Sequence, residues 1–505
     1  MSENLRKNVV RAVGASTLGT LLAKIISLAS TLVLARLLMP EDYGLMAMAS
    51  TVTGFIGFFN EIGLGAAIIQ KQDLKKEEAS SCFGIALIAS SLLTLVIAGI
   101  SWPAATFFNM PQLQNLLCVL GLGFVFGALN TVPLALLRKE LRFQTVLWLG
   151  VCNSIVQSMV AIPLASLGYG YWSIVGGFFA AQFVTTVWYW SASKWRPAWP
   201  LNVRQGLPLL GYGASITSTR LLWHAYMNAD KLIIGKILGE GAVGLYDVSR
   251  SLASLPTSQI SGLVTNIATP VFAKLQNDVR QLSAAHLRMT RGVACITFPL
   301  LAGMAVLAGE LIDVVLGSKW HDAVRPLQAL CLSEMVVSIS SLQSQVLIAT
   351  DRVKQLVRYN ILCAMVLPFS MGLGAYFSGL VGTAVAWSLT YPILAGWLFK
   401  QACHATKQPM SSLWSALNQV LAGTALMAGA VFLLLQLLDA NDYNSGSKLF
   451  AGVGLGVFIY LSYIVYVDRA GLKEIHQVLC DLGVPRRKLD RWPFSRIDKG
   501  FKENT

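Results

Sequence analysis

Charge is scarce in this chain. Only 13% of its 505 residues are Asp, Glu, Lys or Arg, against roughly 25% in an ordinary soluble domain. That deficit excludes a soluble globular fold. With 55% hydrophobic residues and a mean hydropathy of +0.59, the chain reads as a polytopic membrane protein. The alternating segments of about ten residues that mark a β-barrel are missing. The apolar runs are about twenty residues or longer, so the spans are α-helical, the form in which a lipid-facing segment satisfies its own backbone.

Paired cysteines are also missing. Cys82, Cys118, Cys152, Cys295, Cys331, Cys363, Cys403 and Cys480 are scattered singly, which suits apolar filling of helix interfaces better than redox or metal chemistry. The five histidines show no metalloprotease spacing, and no Gly-rich phosphate loop occurs. A soluble catalytic domain has no place here, and no metal or organic cofactor is expected. The first apolar stretch exceeds the roughly 7–15-residue core of a signal peptide, so it is expected to be a retained span.

What is present is a series of fourteen apolar runs, 13–38, 43–70, 79–102, 114–137, 145–167, 171–192, 208–238, 242–272, 289–315, 325–349, 357–377, 380–399, 415–438 and 448–467. Charge checks the series: thirty of the 39 Lys and Arg fall before the first run, in alternate loops, or in the tail, whereas 103–113, 168–170 and 378–379 hold none. Cytoplasmic loops carry the excess of Lys and Arg, so both termini are expected in the cytoplasm. The net charge of +14 then reads as topology, and nucleic acid is not an expected partner. In the tail, Arg486, Arg487, Lys488, Arg491 and Arg496 beside Trp492 and Phe494 suit anionic lipid headgroups, or simply a solvated basic end.

The two halves echo each other at an offset of 200: Thr17 with Thr217, Leu38 with Leu238, Gly44 with Gly244, Leu45 with Leu245, and Arg36 with Lys236. Gly170 and Gly176, opening the sixth run, resemble Gly379 and Gly382, opening the twelfth. Six spans per repeat is an even number, so both repeats enter the membrane in the same direction. The expected organisation is an N-terminal lobe over 1–200, a second lobe over 201–405, two additional helices over 406–468 and a basic tail over 469–505.

The few charges inside apolar runs carry the most information. Lys24 sits near the middle of 13–38, with Thr17, Thr20, Ser27 and Thr31 at steps of three or four, one face of a helix. The seventh run repeats the design with Thr217, Arg220, His224, Asn228 and Lys231. Cations at membrane depth face protein or water rather than lipid. With Arg250 of the eighth run, they suit an anionic head group, above all a diphosphate. For Lys231, snorkelling from the span end competes evenly with this reading, and for Arg36 and Lys236 it is the plainer one. The carboxylates Glu61, Asp230, Asp247 and Glu334 are candidates for coupling to H+ or Na+ or for gating. Asp247 and Arg250, three apart on one helix, also suit simple pairing. Ser251, Ser254, Ser258, Ser261 and Thr265 form a hydroxyl stripe that suits contact with sugars in a cavity or, more plainly, close helix packing.

Several stretches are familiar: LVLARLLMPEDYGLMAM from Leu32, EIGLGAAIIQK from Glu61, DKLIIGKILGEGAVGLYDVSRSLASLP from Asp230, TPVFAKLQ from Thr269, GSKW from Gly317 and IATDR from Ile348. Through them the chain resembles the polysaccharide transporter family, the Wzx-type and colanic-acid-exporter-like members of the multidrug/oligosaccharidyl-lipid/polysaccharide (MOP) exporter superfamily. The resemblance implies an all-α fold of about fourteen transmembrane helices, with two pseudo-symmetric six-helix lobes around a central cavity plus two C-terminal helices. It implies a bacterial inner-membrane flippase that moves undecaprenyl-diphosphate-linked oligosaccharide from the cytoplasmic to the periplasmic leaflet for surface polysaccharide. Alternating access would be driven by an ion gradient or the membrane potential, with a polymerase and chain-length machinery as partners. The family usually has Asp where this chain has Glu61, which leaves that role open.

Three other readings compete. A cation-coupled multidrug exporter commonly takes cationic substrates, which the positive stripes would repel. A membrane polymerase or glycosyltransferase needs a large outward loop, and the outward loops here are about a dozen residues or fewer. An inert scaffold has little reason to keep charges at mid-membrane.

Overall fold

The structure, a computed structural model, describes residue 19 and residues 22–57, 64–71, 73–140, 142–198 and 226–468. Regular structure among them is helical throughout. By contact the chain divides into two units, Met1–Asp247 and Val248–Thr505.

In the first unit, α1 covers 22–37. It is followed by α2 (Pro40–Gly57), α3 (Leu64–Gln70), α4 (Lys76–Phe108), α5 (Pro111–Gly121), α6 (Gly123–Lys139), α7 (Phe143–Ser166), α8 (Trp172–Ser193), α9 (Ala229–Ile237) and the first turns of α10 (Glu240–Leu275). The PEDYG segment explains one break. Pro40 opens α2, where its missing N–H costs nothing. The Asp42 carboxylate accepts from Met39 N at 3.0 Å and from Tyr171 N at 2.8 Å. One side chain thus caps α2 and ties it to the α7–α8 turn. That turn needs glycine: Gly170 has φ +53°, and a Cβ there would lie 2.7 Å from Asp42 Oδ1. The core of this unit joins α3, α4 and α6 around Ala79, Ala86, Ala128 and Ala135, small residues seven apart that let helices approach closely. Phe83 meets Trp190 and Trp195 edge-on at 5.7 and 5.6 Å.

The second unit continues α10 and adds α11 (Val279–Val306), α12 (Ala308–Val315), α13 (Val324–Ala349), α14 (Val353–Ala405), α15 (Met410–Asp439) and α16 (Ser445–Tyr466). Asp278 caps α11, accepting from Arg280 N and Gln281 N, both at 3.1 Å. GSKW forms a tight turn that buries Trp320 completely. The long α14 breaks at Ser378 and Gly379, with φ −138° and +58°, where the eleventh and twelfth runs were predicted to part. Gly379 shares its left-handed conformation with Gly170, its counterpart in the repeat. α11 packs on α13 and α15, and α15 on α16.

Helix boundaries repeat at the offset read from the sequence. α1 ends at 37 and α2 begins at Pro40; α9 ends at Ile237 and α10 begins at Glu240. By length and composition, eight helical stretches among the described residues qualify as membrane spans. One of them, Val353–Ala405, holds two expected runs. Large apolar side chains stand exposed along them, including Leu95 on α4, Phe369 on α14 and Phe450 on α16, as a lipid-facing surface requires. The molecule is an α-helical multi-pass membrane protein.

Candidate functional site

Lys24 and Thr31 both lie on the exposed part of α1. The Thr31 hydroxyl donates to Ser27 O at 2.9 Å, and Tyr43 of α2 donates to Thr31 O at 3.1 Å. Asn228 stands half-buried just before α9. Asp230 is fully buried in the first turn of α9, and its Oδ1 accepts the Lys231 N–H at 2.8 Å. Lys231 reaches from α9 to α10, placing Nζ 2.6 Å from Asp247 Oδ1, with the two side chains 17% and 23% exposed. Asp247 also faces Tyr43. Thr17, Glu61, Arg220 and His224 lie outside the described residues.

One pairing differs from expectation. Spacing alone offered Asp247 to Arg250 or Lys231 to water; the structure gives Asp247 to Lys231. Spacing on one helix reports only neighbours on that helix, whereas this bond crosses between two. The consequence is chemical. Lys231 is already neutralised, so an incoming anion must compete with Asp247 for it.

A second polar group is built inside the second unit. The Arg250 guanidinium lies over the Trp387 ring, 4.6 Å from its centroid, a favourable placement for a cation. Trp387 stacks in turn on Tyr391 at 5.4 Å and 16°. Glu334 of α13, 7% exposed, is a charge neighbour of Arg250. Among the described residues its Oε2 has no hydrogen-bond partner, although the Thr257 hydroxyl lies close to the carboxyl group. Buried carboxylate oxygens are seldom left so. Sequence reasoning found Arg250 and Glu334 but missed Trp387 and Tyr391, whose signal was an i, i+4 aromatic pair within an apolar run. It also missed the buried pair His286 and Gln343, 2.7 Å apart: His286 because α11 starts ten residues before the expected run of 289–315, and Gln343 because its partner lies on another helix. Replacing Trp387, 2% exposed, with Ala is expected to destabilise the protein by about 3–5 kcal/mol. Thermal unfolding in detergent measures this, and Trp387→Phe should lose clearly less.

A cavity of about 430 Å³ lies in the second unit among α11, α12, α15 and α16, lined by Pro299, Leu307, Met427, Val431, Gly452 and Tyr460. It is apolar and carries none of the candidate charges, so it offers nothing to a diphosphate. Among the described residues no three His, Cys, Asp or Glu side chains gather as metal ligands.

The helical arrangement defines a class. It matches the lipid II flippase MurJ in an inward closed conformation, with TM-score 0.71 and 15% identity, over 90% of this chain and 99% of that one. It also matches an inward-facing multidrug resistance MATE transporter of the MOP superfamily, with TM-score 0.61 and 17% identity, over 76% of this chain and 96% of that one. The fold is therefore the one these two transporters share. The family model described as "Polysaccharide biosynthesis protein" matches residues 33–325, more than half of the chain, and the chain belongs to that family. Among its relatives, the succinoglycan biosynthesis transport protein ExoT of Rhizobium meliloti is 24% identical, over 93% of this chain and 95% of that protein. The lipopolysaccharide biosynthesis protein WzxC of Escherichia coli is 22% identical, over 76% and 79%. The teichuronic acid biosynthesis protein TuaB of Bacillus subtilis is 23% identical, over 92% and 96%.

Proposed function

We propose that this protein is a flippase that moves undecaprenyl-diphosphate-linked oligosaccharide from the cytoplasmic to the periplasmic leaflet of a bacterial inner membrane, for surface polysaccharide synthesis. The observation that carries the proposal is the cationic face on the first and seventh spans, in a chain of a polysaccharide biosynthesis family. Lys24 and Lys231, with Arg220 and His224, would draw the diphosphate. Thr17, Thr31 and Asn228 would add hydrogen bonds, and Arg250 contributes from its own cluster. Fourteen spans with both termini cytoplasmic follow from the charge alternation. Glu61, Asp230, Asp247 and Glu334 are the carboxylates through which H+ or Na+ would couple to transport. The polymerase and chain-length proteins would take the product on the far side. The protein supplies no catalytic step in this reading.

The test is purified protein in vesicles carrying a fluorescent undecaprenyl-diphosphate-linked sugar. Leaflet exchange dependent on the protein supports the proposal. No exchange in vesicles, together with drug efflux from cells expressing the protein, transfers the chain to the multidrug class.

A further inference from the structure

Two shielded candidate cations, one in each unit, come with a counter-charge of their own. Lys231 of α9 holds Asp247 of α10 at 2.6 Å, the two side chains being 17% and 23% exposed. Arg250 has Glu334 as its charge neighbour. The Lys231 pair is set in place from several helices. Asp230, fully buried, accepts the Lys231 backbone N–H at 2.8 Å and fixes where the lysine leaves α9. Tyr43 of α2 faces Asp247, while its hydroxyl donates to Thr31 O of α1 at 3.1 Å.

A cationic path inside a bilayer is surrounded by anionic phospholipids. Each carries one phosphodiester charge, and together they far outnumber any cargo. A bare lysine would hold them with the same charge-assisted hydrogen bonds that hold a diphosphate. Asp247 changes that balance. Seating one phosphodiester on Lys231 exchanges one negative charge for another. It also strands the carboxylate in a partly dry site, where an unpaired charge is costly. A diphosphate bridging lipid and sugar brings two charges. One replaces Asp247 on Lys231, and the other is left for a second cation of the path, so the exchange favours the cargo.

We propose that Asp247 is a specificity residue, a built-in rival anion that keeps Lys231 from lipids bearing one phosphate charge and gives way to a diphosphate. Discrimination here comes from a penalty on the wrong ligand rather than from an added contact with the right one. The inference rests on the flippase reading for its cargo.

Two probes that differ by one phosphate test it: the same fluorescent sugar on undecaprenyl diphosphate and on undecaprenyl phosphate, in phosphatidylcholine vesicles holding the purified protein. The wild type should move the diphosphate-linked sugar faster by about tenfold or more. Asp247→Asn should narrow the ratio to about twofold, and Asp247→Glu should restore it. If Asp247 served ion coupling alone, its loss would slow both probes alike; an unchanged ratio therefore overturns the inference. So does a wild type that moves both probes equally. Asp247→Ser takes the place of an Asn variant that is poorly recovered. If the wild type moves neither probe, the flippase reading fails instead, and retained lipid decides the role of Asp247. Purified in mild detergent from the same cells, Asp247→Asn should carry about threefold or more of the phosphatidylglycerol that the wild type carries; equal amounts reject the proposal.

Discussion

Replacing Lys24 with glutamate is expected to reduce leaflet exchange by about a hundredfold, because opposed unit charges a few ångströms apart in a partly dry path interact by several kcal/mol and each 1.4 kcal/mol is tenfold in rate. The position makes the test clean. Lys24 is exposed on α1, so the substitution disturbs no packed core, and protein yield and thermal unfolding should stay near those of the wild type. Lys24→Arg keeps the charge and should keep most of the exchange. Lys24→Ala should fall between the two. If all three variants exchange alike, the lysine does not meet the cargo. If Glu and Ala fail equally and both reduce yield, its role is structural.

The second large effect concerns stability. Arg291 of α11 bonds Asp468, just beyond α16, and also Gln419 of α15 at 2.7 Å. The pair is mostly shielded, with side chains 13% and 2% exposed, and it fastens the two C-terminal helices to the rest of their unit. Removing one member of a buried pair strands the other charge and costs about 3 kcal/mol or more, whereas replacing both with apolar residues of similar size is often near neutral. Arg291→Ala and Asp468→Ala should therefore each lower the unfolding midpoint in detergent sharply. Arg291→Met combined with Asp468→Leu should recover most of the loss. A double variant as damaged as the singles would mean that the contact is more than a charge pair.

These two cases show what sequence could and could not supply. Apolar runs announced the long helices because lipid demands about twenty apolar residues per crossing. The break between the eleventh and twelfth runs was visible at Ser378–Gly379, and the repeat was visible because Gly44 and Gly244 must be glycine for a steric reason. Partner choice was not visible. Arg291 and Asp468 stand 177 residues apart, and Asp247 bonds a lysine on another helix; periodicity describes one helix at a time. The role of Trp387 was not visible either, because its use as a platform for Arg250 depends on where α10 passes α14. Apolarity also misplaced the start of α11, which runs on through a polar first turn to Val279 because Asp278 caps it there.

The central claim is electrostatic: the path recognises a lipid-borne anion. The most direct measurement is leaflet exchange of the same fluorescent sugar carried on undecaprenyl diphosphate and on a neutral polyprenol, in matched vesicles containing the purified protein. The diphosphate-linked sugar should cross and the neutral one should not. Equal exchange of both would contradict the account.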